Sequence, residues 1–138
     1  MQAEVKWLEK LTFVATATSG HGVVIDAPVD KGGNNRGSSP MELLLMGVGG
    51  CTGIDVLFIL EKAKQVVTGL SINVESVREI EDPKIFTELK VIYHFKGKNL
   101  ARNQVERAVK MSAEKYCCVS IMLGKTASIS HEIIIEEE

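Results

Sequence analysis

The stretch from Leu43 to Leu60 constrains this chain most: Asp55 is its only charge, and Gly47, Gly49, Gly50 and Gly53 interrupt it. By length it reaches the lower limit for spanning a bilayer, about 17–25 apolar residues. The clustered glycines and the amphipathic strand patterns on both flanks predict instead a central helix buried on nearly all sides, and no membrane span is expected. The start of this helix is written into the sequence. Ser39 suits the N-cap, Pro40 the first helical position, and Glu42 follows at the spacing of a capping box. The helix is expected to end near Lys64.

Strand signals lie on either side. Glu4 to Trp7 and Leu11 to Thr18 are rich in β-branched and aromatic residues, and Val23 to Asp26 follows a Ser19-Gly20-His21-Gly22 turn, which predicts an antiparallel meander. Asp30 to Ser38 has no apolar residue and reads as a mobile loop. Leu70 to Ile80 and Ile85 to Lys96 predict two long strands joined by Glu81-Asp82-Pro83-Lys84. Asn99 is a candidate cap for a second helix whose core stripe is Val105, Ala108, Val109, Ser112 and Tyr116. A shorter helical turn, about Cys117 to Leu123, ends at Gly124. A last strand, Ser128 to Ile135, precedes a solvated acidic tail, Glu136 to Glu138. Strands and helices do not alternate, so the class is α+β.

Size and charge exclude several partners. A chain of 138 residues with 45% hydrophobic and 25% charged residues suits a single domain spanning 1–138 with a proper core. Sixteen basic against eighteen acidic residues give a net charge of −2 and no basic stripe, so nucleic acid is not an expected partner. With Glu4, Lys6, Glu9 and Lys10 among the first ten residues no signal peptide is expected, and three cysteines, an odd number, point to free thiols in a reducing cytoplasm. Three scattered histidines, His21, His94 and His131, without a Cys-x-x-Cys pair, argue against a structural zinc site. The glycine cluster lacks a following Lys-Ser/Thr and is no phosphate loop. No cofactor or metal is expected.

Chemistry is carried by two cysteines far apart in the chain. Cys51 falls inside the apolar helix, and Cys117 lies in Lys115-Tyr116-Cys117-Cys118-Val119-Ser120. A separated thiol pair suggests redox chemistry, although free cysteine is also among the most buried residue types and can be simple packing. A thiolate in apolar surroundings needs a donor, a cation or a helix N-terminus, and the start of the turn at Cys117 offers amide donors. Asp55 shares a helix face with Cys51; a carboxylate buried there would oppose a thiolate, so it is read as a helix-surface or dimer-contact residue. Met41, Met46, Met111 and Met122 are read as core filler rather than a pocket lining.

Ser39-Pro40, then Gly50-Cys51 in a glycine-interrupted apolar helix, then Cys117-Cys118-Val119-Ser120 together resemble the OsmC/Ohr family, the osmotically induced and organic-hydroperoxide-resistance proteins. The likeness extends over nearly the whole chain. The Ser-Gly-His turn and the Ala113 to Cys117 run are similar to a small OsmC-like redox subgroup. The resemblance implies antiparallel sheets packed on central helices in an intertwined homodimer. It also implies an organic hydroperoxide as substrate, Cys51 as the attacking residue, Cys117 as the resolving one, and an external dithiol as reductant. Cys118 has no counterpart and is assigned to packing.

Two positions depart from the family pattern. Where its peroxidases carry an arginine that stabilises the thiolate, this chain has His21, and where a glutamate after the proline holds that arginine, it has Met41. Glu42 is a helical step away and already has a capping role. His21 can substitute in part as an imidazolium, and Arg36 in the loop before the helix is a second candidate cation. The expectation is a cytoplasmic, thiol-dependent peroxidase of reduced efficiency. A thiol redox protein or sensor without turnover, and a module binding apolar ligands, stay open.

Overall fold

The computed structural model describes all 138 residues. It divides into two compact units, Met1–Leu44 and Leu45–Glu138.

The first unit holds an antiparallel sheet in the order β1 (Ala3–Glu9), β2 (Thr12–Ala17) and β3 (Gly22–Ile25). The predicted turn between β2 and β3 is present, with Gly20 at φ 87°, a conformation that favours glycine. The segment predicted as a mobile loop is instead folded onto one carboxylate. Asp26, 1% exposed, accepts hydrogen bonds from Ala27 N, Asn34 N, Arg36 N and Thr12 Oγ1. Burial pushes its carboxyl up, but the four donors outweigh this and hold it below the usual carboxylate range.

Helix α1 runs from Pro40 to Lys62 and opens as the sequence predicts: Ser39 N donates to Glu42 Oε1 at 2.9 Å and Glu42 N to Ser39 Oγ at 3.3 Å. It is long and apolar enough to cross a bilayer. Burial on nearly all sides is not what the structure shows. Val48, Thr52, Val56 and Leu60, each one turn from the next, are buried, while Met46, Ile54 and Phe58 are exposed. The glycines let the buried side approach the sheet of the second unit: a Cβ on Gly53 would lie 3.1 Å from Ile72 Cδ1.

That sheet has the order β4 (Val66–Arg78), β5 (Phe86–Lys98) and β6 (Ser128–Glu137). β4 and β5 form the predicted antiparallel hairpin, but β6 lies parallel to β5, with Tyr93 opposite Ile133, so this sheet is mixed rather than antiparallel. Leu89, Val91, Tyr93 and Phe95 alternate inward along β5 as its core face. The expected acidic tail is mostly strand, since Glu136 and Glu137 pair with Lys96 and Gly97.

Helix α2 (Arg102–Met111) continues into a π-helical turn, Ser112–Tyr116, and then α3 (Cys118–Leu123). Ala101, not Asn99, occupies its N-cap; Asn99 has φ 54° and makes the turn out of β5. Val105, Ala108, Val109 and Ser112 form the buried stripe, whereas Tyr116 is exposed. Cys117 N bonds to Ser112 O, five residues back. One extra residue in the turn rotates the stripe, so Tyr116 leaves the core and Cys117 enters it.

Candidate active site

Cys51 and Asp55 are one turn apart on α1, both half-buried. Cys117 is completely buried and stands at the N-cap of α3. Its sulfur takes the place that a serine or threonine oxygen usually holds there: it accepts from Ser120 N at 3.4 Å, and the thiol donates to Ser120 Oγ at 3.0 Å. The Cys51 sulfur, an Asp55 carboxylate oxygen and the Cys117 sulfur lie within 4.8 Å of one another. Burial pushes the Cys117 thiol up and the Cys51 sulfur adds to this; the two Ser120 hydrogen bonds counter only part of it.

A chain of hydroxyls runs behind this cluster. Ser112 Oγ donates to Asp55 Oδ2 at 3.0 Å, Thr52 Oγ1 lies 2.9 Å from Ser112 Oγ and 2.8 Å from Tyr93 OH, and Tyr93 OH is 3.2 Å from His131 Nδ1. Its polarity follows from proton counting. An ionised carboxylate only accepts and each hydroxyl has a single proton to give, so Thr52 donates to Ser112, Tyr93 to Thr52 and His131 Nδ1–H to Tyr93. Burial pushes Tyr93 up to about 12, keeping it a neutral donor, and burial lowers His131. No buried side-chain polar atom in the chain lacks a partner.

Beside Asp55 opens a cavity of about 540 Å³, lined among others by Phe58, Lys62, Arg107, Met111 and Tyr116. Its aromatic and aliphatic walls offer apolar contact next to the cluster, and Lys62 and Arg107 add two cations.

Of the residues singled out from sequence, the structure brings Cys51 and Cys117 together. Asp55, read as a surface or dimer-contact residue, instead joins them. Cys118, read as packing, is exposed at the first position of α3, and its thiol donates to Tyr116 O at 3.7 Å. His21 Nδ1 lies 3.1 Å from Ser19 Oγ on the exposed turn of the first unit, and the Arg36 guanidinium donates to Glu9 at 2.8 Å. Glu42 is engaged by Ser39, whose hydrogen bonds lower its carboxyl. Met46 and Met122 are exposed rather than core, while Met111 lines the cavity. Thr52 and Tyr93 carry no site signal in the sequence, Ser112 reads there only as part of a core stripe, and His131 only as one of three scattered histidines.

Residues 32–132 match the model of the OsmC-like protein family. The chain belongs to the OsmC family. It is 42% identical over 131 residues to protein YhfA of Escherichia coli K12, covering 95% of each chain. Its fold matches a hypothetical protein of Aquifex aeolicus with a TM-score of 0.87 at 30% identity, over 99% of this chain and 96% of that one. It also matches an organic hydroperoxide resistance protein OsmC of Legionella pneumophila, with a TM-score of 0.71 at 19% identity, over 96% and 95% of the two chains.

Proposed function

We propose that this protein is a cytoplasmic thiol peroxidase that reduces organic hydroperoxides through Cys51 and Cys117. The observation that carries the reading is the convergence of these two sulfurs, from a helix and from the cap of another, within 4.8 Å. Membership of a family linked to hydroperoxide resistance supports the substrate class.

Each step balances on the residues present. The Cys51 thiolate attacks the distal peroxide oxygen, the O–O bond breaks, and the alkoxide leaves and takes up a proton as the alcohol. Cys51 is then a sulfenic acid. Cys117 attacks its sulfur, a disulfide forms and water leaves; an external dithiol restores both thiols by exchange. Of the two, the half-buried Cys51 is the one open to substrate, and the buried Cys117 suits the second step, being close by and held by Ser120. The cavity beside Asp55 would take the organic part of the peroxide. With Met41 and His21 in place of the family's glutamate and arginine, thiolate formation has less support, and turnover is expected to be slow. The active form is expected to be a homodimer, because α1 exposes Met46, Ile54, Leu57 and Phe58.

Reduced protein given one equivalent of cumene hydroperoxide should lose two hydrogens in a disulfide that maps to Cys51 and Cys117, faster than with hydrogen peroxide. Cys51→Ser should abolish this and Cys118→Ser should not. Thiols that stay reduced, or oxidise equally in Cys51→Ser, would overturn the reading.

A further inference from the structure

The peroxide chemistry leaves one group of the cluster without a use. A carboxylate at Asp55, beside two sulfurs that must become anionic, opposes thiolate formation, yet Asp55 is held in place by Ser112 and the hydroxyl chain behind it. Three anion-forming donors converging on one point call for a cation. We propose that the reduced protein binds a zinc-class divalent ion through Cys51 Sγ, a carboxylate oxygen of Asp55 and Cys117 Sγ, leaving the fourth tetrahedral position open to water or an external ligand.

The donor set selects the class. Two thiolates with one carboxylate suit Zn²⁺ and its neighbours among the transition metals rather than Mg²⁺ or Ca²⁺, which take oxygen ligands. No histidine takes part, so the scatter of the three histidines does not bear on it. Geometry is close to what is needed. Bonds of about 2.3 Å to sulfur and 2.0–2.2 Å to oxygen place tetrahedral donors about 3.5–3.8 Å apart. Separations within 4.8 Å reach this through side-chain adjustments of about 1 Å. The backbones need not move: Cys51 and Asp55 share a face of α1, and Cys117 is fixed at the cap of α3.

The surroundings match those of a built metal site. Ligands in such sites are oriented by hydrogen bonds from a second layer. Here Ser112 Oγ donates to Asp55 Oδ2 and leaves Oδ1 free, while Ser120 N and Ser120 Oγ hold the Cys117 sulfur. Thr52, Tyr93 and His131 fix Ser112 in turn. Binding exchanges the two thiol protons for the ion, with no electron transfer.

The site is the one proposed above for peroxide chemistry, but its test contains no peroxide, so either reading can fail alone. Reduced full-length protein is titrated anaerobically with Co²⁺, followed by displacement with Zn²⁺. One Co²⁺ per chain should bind with sulfur-to-cobalt charge-transfer absorption and the strong visible bands of four-coordinate cobalt. Cys51→Ser and Cys117→Ser should each remove about half of the charge-transfer intensity, one of two sulfur donors being lost. Asp55→Asn should keep that intensity and weaken affinity, and Ser112→Ala should weaken it about 10- to 100-fold with the spectrum retained. Cys118→Ser, outside the cluster, serves as the folded control and should bind as the parent does. Absence of stoichiometric binding in the parent would overturn the proposal, as would binding indifferent to Cys51→Ser and Cys117→Ser, or affinity unchanged in Asp55→Asn.

Discussion

Thr52 is the residue on which the buried polar interior of the second unit turns, since its one hydroxyl meets both Tyr93 and Ser112. Thr52→Val keeps the shape but leaves the Tyr93 proton without an acceptor and removes the donor to Ser112; chemical denaturation should show a loss of about 1–3 kcal/mol, the cost of leaving a buried polar group unpaired. An unchanged midpoint would mean that water replaces the hydroxyl. His131, at the other end, carries the pH dependence. Burial lowers its pKa from 6.5, and it faces Tyr93 while Glu114 and Lys125 line the same cleft. The unfolded chain therefore takes up the proton more readily. Stability should fall as pH drops through 6.5 and on to the lower folded value, and His131→Asn should flatten that limb in a pH series of melting curves. These residues were illegible in the sequence for a physical reason. Thr52, Tyr93, Ser112 and His131 come from α1, β5, the π turn and β6, and each alone looks like an ordinary strand or helix residue. Cys51 and Cys117 could be found because their flanks carry a pattern.

Among the elements, most of those defined by local chemistry were readable, the Asn99 cap excepted, and those defined by partners were not. The capping box at Ser39 and Glu42 and the turn at Gly20 are local, and both are present. The parallel placing of β6 depends on which strand edge is free, and the exposure of Tyr116 on a single inserted residue in the π turn; neither leaves a mark in hydrophobic periodicity. The loop before α1 makes the same point. Its residues look unstructured because the group that orders them, Asp26, precedes them and gathers their amides after the chain turns. Asp26 is held below its ordinary value of 3.8, so its contribution is complete above that pH and is lost as pH falls through the lower folded value. Asp26→Asn places an amide nitrogen among donors and should lower the melting temperature at neutral pH, with the deficit shrinking in acid. A deficit that stays constant down to acid pH would assign the loss to packing instead.

At the scale of the whole molecule, α1 is apolar on two sides, and only one is used within the chain. The stripe Val48, Thr52, Val56 and Leu60 is buried, while Met46, Ile54 and Phe58 form a second stripe that is exposed, Ile54 by 72%. Strand β1 adds exposed Val5, Trp7 and Leu8 in the first unit. A single chain has no reason to keep so much apolar area in water, and the length and composition that make α1 resemble a membrane span follow equally from packing a second copy against it. Sedimentation of the reduced protein should then report two chains at micromolar concentration. Ile54→Glu would place an unpaired charge in the dry centre of that contact, at a cost of about 3–5 kcal/mol, enough to weaken association on the order of 100-fold or more. Circular dichroism shows whether the chain still folds. A folded monomer is the expected result, because Ile54, 72% exposed, has little packing to lose within its own chain; an undisturbed dimer would move the interface to the exposed face of β1.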